Sequence, residues 1–175
     1  MQTKTRKATF QPVDEATAEQ GIVRMVISTY GIDDADEQVV PGAFAETLAE
    51  WKGGDDRMPF IFSHMSQDPH MYVGTVLDAY EQEGDPTTKP ATPPGLLVEA
   101  QMDDDPTAQK VHKLLKSRRV TQASFAYDVV DSEVVQENGR TLRKLKKLRL
   151  YEVGPTLIGM NQETELLTVK EAQTV

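Results

Sequence analysis

The stretch PFIFSHMSQDPHMYVGTV carries two of the chain's three histidines, His64 and His70. An apolar, strand-like run ends there on Ser63 and His64. A histidine at such a place can be a general base, a metal ligand, or a satisfied polar residue at a strand end. Two more residues in extended patterns could complete a nucleophilic site. They are Ser124 in QASFAYDV and Glu152 in KLRLYEV. A serine hydroxyl attacks poorly until a base removes its proton. A third group must fix the imidazole tautomer and stabilise the imidazolium. Side-chain alternation along a strand puts Met58, Phe60, Phe62 and His64 on one face, and Leu148, Leu150 and Glu152 on one face of another strand. A carboxylate that extends an apolar row is costly unless paired, and an imidazole is a natural partner for it. Phe125, Tyr127 and Val129 form a bulky face. Ser124 and Ala126 form the small face opposite, where a substrate backbone could approach. Ser63 alternates away from His64 and so drops out.

Residue types and spacing alone leave these roles open. Glu152 could equally pair with Arg149, Lys147 or Arg119, and Ser124 could be no more than a small strand residue. A metal site built from His64, His70 and Asp68 matches no standard ligand spacing. The acidic run Asp33–Glu37 lacks the order of an EF-hand loop and reads as a solvated turn. The sequence contains no GxGxxG, P-loop, HExxH or GxSxG pattern, and no cofactor is expected. With no cysteine there is no thiol nucleophile, zinc ribbon or disulfide framework. A net charge of −9 argues against a nucleic-acid-binding footprint. No apolar run approaches the ~20 residues of a membrane span, and no signal-peptide pattern opens the chain.

The elements that must position these residues can be read in outline. At 175 residues the chain suits a single domain. Residues 1–20 read as a flexible polar arm, with a short strand around 8–13 at most. GIVRMVISTYG is a strand bounded by glycines. Pro41 opens a helix whose Phe44, Leu48 and Trp51 recur at helical spacing, and Gly53–Gly54 close it. Strands are expected at 58–63 and 71–80, then a mobile proline-rich loop over 81–95, then the strand LLVEAQM. Asp105 and Pro106 start a second helix with the apolar stripe Ala108, Val111 and Leu115. His112 lies beside that stripe, as a partly exposed surface residue. Strands 122–135 and 142–157 flank Asn138–Gly139, a strong hairpin signal, and ELLTVK is a final strand. About seven strands with few helical connections predict a mostly antiparallel sheet, closed or nearly closed into a barrel, with flanking helices.

Four blocks in order carry a resemblance. YGIDDADEQVVPGAF, PFIFSHMSQDPHMYVGTV, VTQASFAYDV and LRLYEVGPTLIGMN are similar to the acidic turn and helix start, the histidine strand, the nucleophile strand and the "EvS" strand of the prohead maturation proteases of tailed phages. That family is related in fold to the herpesvirus assemblins. The pattern departs at Ala126, where the family usually has glycine, and at Gly154, where serine usually follows Glu-Val. The loop before Val73–Gly74 is also a few residues long.

The resemblance implies an assemblin-like, mostly β fold (α+β), a largely antiparallel barrel of about seven strands. The protease domain would span 21–170, with a tail over 171–175. It implies a serine endopeptidase in which Ser124 is the nucleophile, His64 the general base and Glu152 the orienting acid. The basic segment SRRV before Ser124 is, by loose analogy, the region for oxyanion donors. The implied substrates are scaffolding protein, or a scaffolding segment of the major capsid protein, cut together with the enzyme itself inside the immature prohead in the host cytoplasm. The alternative is a protease-like domain that binds capsid protein without cutting it. Assemblin relatives dimerise, and the second helix has apolar surface either for a homodimer or for covering the barrel.

Overall fold

The computed structural model describes residues 1–7, 9–10, 20–89 and 91–157. Among them are nine strands in one curled mixed sheet. These are β1 (Gln2–Lys7), β2 (Thr9–Phe10), β3 (Ile22–Thr29), β4 (Glu37–Val39), β5 (Pro59–Ile61), β6 (Tyr72–Gln82), β7 (Gly95–Met102), β8 (Gln122–Glu137) and β9 (Arg140–Thr156). The order is β1-β8-β9-β5-β6-β7-β3-β2, with β4 added on β9. Pairing is antiparallel except where β4 and β5 run parallel to β9. The fold is therefore the expected mostly β architecture with flanking helices. The predicted ELLTVK strand lies outside the described residues.

The largest departure is at the N-terminus. Residues 2–7, expected within a loose arm, form β1 and pair along β8 from Gln2↔Tyr127 to Lys7↔Gln122. Only Ala8 separates β1 from β2, which pairs with β3 at the far end of the sheet order. One short segment thus links both ends of the curled sheet. The loop expected to be mobile is tied by the bridge Asp85↔Thr92 and by Asp85 Oδ1, which accepts from Thr87 N at 2.8 Å.

Helix α1 (Ala45–Gly53) closes an open sheet edge. Between its β4 and β5 partners, β9 would leave backbone groups unpaired. Leu148 N instead donates to Ala43 O (2.9 Å), and Leu150 N donates to Thr47 Oγ1 (3.0 Å). The Trp51 indole donates to Leu150 O (2.9 Å). Helix α2 (Pro106–Lys116) begins as its sequence dictates: Asp105 Oδ1 accepts from Thr107 N (3.0 Å) and Ala108 N (3.1 Å). It packs on β6, β7 and the 3₁₀ turn Pro69–Met71. Its apolar stripe is buried against the sheet, and so is His112, contrary to expectation. Desolvation, then the nearby Lys116 charge, lowers the His112 pKa. The core inside the curl includes Phe44, Phe60, Phe125 and Leu148. The Phe44 and Phe125 rings meet edge to face, 5.7 Å between centroids.

Candidate active site

Ser124, His64 and Glu152 are brought into direct contact. His64 Nε2 meets Ser124 Oγ, and His64 Nδ1 meets Glu152 Oε1. The Ser124 hydroxyl also donates to the Lys4 carbonyl (2.8 Å). Ser124 is buried, while the His64 and Glu152 side chains keep 12% and 5% exposure. Solvent therefore reaches the trio from the histidine side. The second carboxylate oxygen, Glu152 Oε2, is buried without a partner among the described residues.

The contact forms by a route that simple alternation misses. On β9 the row Leu148, Leu150, Glu152 does not share one face. Pairing runs Ala126↔Glu152 and then Tyr127↔Leu150, so Tyr151 is an extra residue, a β-bulge. The bulge leaves Leu150 and Val153 in the core and turns Glu152 to the other side of the sheet. There it sits with Ala126 and, diagonally, Ser124. Alternation also fails at His64. Strand β5 stops at Ile61, and Phe62–His64 form a 3₁₀ turn. Ser63 (φ 54°) and His64 (φ 58°) both adopt left-handed backbone. Such a conformation costs a non-glycine residue about 1–3 kcal/mol, and it recurs where a side chain must be aimed. Ser63 is not a partner of the His64 ring; its hydroxyl accepts from Leu157 N at 3.2 Å and ties the end of β9 to this turn.

Gly154 explains how close that turn can come. It lies opposite Ser124 on β9. A Cβ there would sit 1.9 Å from the Ile61 carbonyl oxygen. The absence of a side chain lets the β5 backbone lie on β9, which lowers His64 onto Ser124. Glycine at this departure from the family pattern thus has a structural cause.

The remaining candidates fall elsewhere. His70 is exposed, and its Nδ1 meets Asp68 Oδ1 at 3.0 Å, so His64, His70 and Asp68 do not converge. Lys147 bonds Glu46 rather than Glu152. The N–H groups of Arg118, Arg119 and Val120 donate to the carbonyls of Leu115 and Leu114 at the end of α2. The backbone of SRRV is therefore occupied, against the analogy that made it an oxyanion site. The acidic turn is an ion-pair hub, not a solvated loop. Buried Lys4 bonds Asp33 (2.6 Å) and Glu37 (3.0 Å), Arg143 bonds Glu37 (3.2 Å), and Arg140 bonds Asp36. Burial pushes the Asp33 carboxyl up, but hydrogen bonds from Lys4 and the Glu37 and Ala35 amides outweigh it and hold the pKa low. Sequence reasoning missed Lys4 and the Tyr151 bulge. The glycine inside YEVGPT was the one readable signal, because a strand glycine marks close backbone approach.

A mostly β sheet that buries a serine and a carboxylate and holds a partly exposed histidine between them defines a class of fold able to carry nucleophilic hydrolysis. The T4 bacteriophage capsid assembly protease has a similar fold, with a TM-score of 0.57 at 7% identity over 89% of this chain and 96% of that one. No curated protein matches by sequence. The profile of the caudovirus prohead serine proteases matches residues 12–174, and the chain belongs to that family.

Proposed function

We propose that this protein is a prohead maturation endopeptidase with Ser124 as nucleophile, His64 as general base and Glu152 as orienting acid. The observation that carries this reading is the His64 ring held between Ser124 Oγ and Glu152 Oε1. With Nδ1–H donated to the carboxylate, Nε2 presents a lone pair to the serine. Ser124 Oγ attacks the scissile carbonyl while its proton passes to His64 Nε2. The imidazolium, stabilised by Glu152, returns that proton to the leaving amine. Water then hydrolyses the acyl-enzyme by the same relay. The hydroxyl has one proton and two acceptors, Lys4 O and His64 Nε2, so the reacting rotamer is the one turned to the histidine.

The substrates are scaffolding protein or the scaffolding segment of the capsid protein, and the enzyme itself, inside an immature shell in the host cell. The test co-expresses the chain with its capsid and scaffold partners. Ser124→Ala should abolish processing and labelling by a serine-reactive phosphonate while the fold survives. Processing by that variant would rule the nucleophile out. A parent that resists the phosphonate would point instead to a non-catalytic capsid-binding domain.

A further inference from the structure

Among the described cations two groups stand out, while Arg57, Lys89 and Arg149 are exposed without a carboxylate ion pair but lie scattered along the chain. Lys4, Arg24, Lys52, Arg140, Arg143, Lys144, Lys146 and Lys147 each have a carboxylate partner. Lys110, Lys113, Lys116, Arg118 and Arg119 are all exposed, and no ion pair joins them to a carboxylate among the described residues. Between Asp105 and Asp128 there is no acidic residue, in a chain with 28 of them and a net charge of −9. The lysines recur at i, i+3 and i+6 along α2, a spacing at which like charges repel. The helix dipole favours Lys113 and Lys116 in the last turn, but not Lys110 in the middle of the helix. The location adds a second, independent argument. Helix α2 packs on the Pro69–Met71 turn that ends the loop from His64, and its basic C-terminal loop leads into the strand of Ser124.

We infer that this stripe is a docking surface for an acidic, extended polypeptide segment of the substrate, held beside the site. The inference rests on the endopeptidase reading. A polypeptide is favoured over nucleic acid because the patch is short, flanks a site proposed to cut peptide bonds, and belongs to a protein whose overall charge repels a long polyanion.

The test uses the full Ser124→Ala chain, which cannot turn the ligand over. A dye-labelled peptide with glutamate at alternate positions and its glutamine counterpart are titrated by fluorescence anisotropy. The glutamate peptide should bind at least tenfold more tightly at low salt, with the advantage shrinking as salt is raised. K110E/K113E/K116E should abolish that advantage. K110Q/K113Q/K116Q, with folding checked by circular dichroism, should reduce it severalfold and serves where charge reversal impairs folding. Equal affinity for the two peptides, or a preference that survives neutralisation, overturns the inference. Tighter binding of single-stranded DNA of matched charge also overturns it. Phosphonate labelling of the lysine variants, with Ser124 restored, separates the two readings. Unchanged labelling with lost glutamate preference supports both. A parent that binds glutamate peptide but resists the reagent sinks the nucleophile alone.

Discussion

The two halves of the β8–β9 hairpin both shift register, but they put the irregularity to different use. The distal half, from Val129 to Lys147, is largely exposed on β8, with Val134 66% exposed and charges answered across the strands. On β9 its buried leucines, Leu142, Leu145 and Leu148, are spaced by three, and the pairing shifts register twice here, at Val129/Asp131 and at Asp131/Ser132. The proximal half carries Ser124, Glu152 and Gly154. It breaks alternation with a bulge, admits a foreign backbone onto a glycine, and receives a histidine from a turn with two left-handed residues. Register shifts thus occur in both halves, but only where three polar groups must meet are they joined by a glycine under foreign backbone and a left-handed histidine turn. Such local violations, compensated nearby, are what a functional site imposes on a fold.

The contrast predicts that isosteric changes in the proximal half are severe. Glu152→Gln keeps the size of the side chain but removes the charge facing His64 Nδ1. It should lower kcat by a factor on the order of 10²–10⁴ with little change in melting temperature. Steady-state cleavage of a capsid–scaffold substrate measures this. A loss below threefold would separate Glu152 from the chemistry. Next in size is Gly154→Ala. Its Cβ would collide with the Ile61 carbonyl, backbone that cannot rotate aside. Displacing β5 should cost roughly 1–3 kcal/mol, the range for overpacking, and should move His64 away from Ser124. Urea denaturation and phosphonate labelling should therefore both report the change. Undiminished labelling would show that the histidine turn does not depend on this contact.

Much of this could be read from the sequence, and the parts that could not share a cause. The Asp105 cap, the Asn138–Gly139 hairpin and most strands follow from local chemistry. The residues of the candidate site were legible through their types and the resemblance, but the face argument for Glu152 was wrong. Period-2 alternation cannot locate a bulge, because an extra residue leaves no mark on composition. His112 was misplaced for a related reason: a residue beside an apolar stripe is buried or exposed according to what packs on it. β1 was illegible because a polar strand signals itself only through its partner. Its Lys4 is satisfied by Asp33 and Glu37, distant in sequence.

Lys4 joins the two halves, and the smallest predicted effect lies there. Its carbonyl accepts from Ser124, while its ammonium holds the acidic turn that also binds Arg143 and Arg140 of the distal hairpin. Lys4→Met preserves the stem and leaves two largely buried carboxylates without it. Glu37 retains Arg143, so the loss should be about 1–3 kcal/mol, less than for a fully isolated buried charge. Arg140→Ala, in an exposed pair with Asp36, should stay within about 0.5 kcal/mol of the parent. Acid should narrow the difference between Lys4→Met and the parent. The folded Asp33 pKa lies below its ordinary 3.8, so the folded state binds fewer protons than the unfolded one. Its stabilisation is complete above that ordinary value and is lost as pH falls through the folded one. The parent has this stability to lose and the variant has little. Denaturation curves for the two should therefore converge below about pH 4. A gap that stays constant from neutral pH into acid would mean that Lys4 acts through its alkyl stem alone.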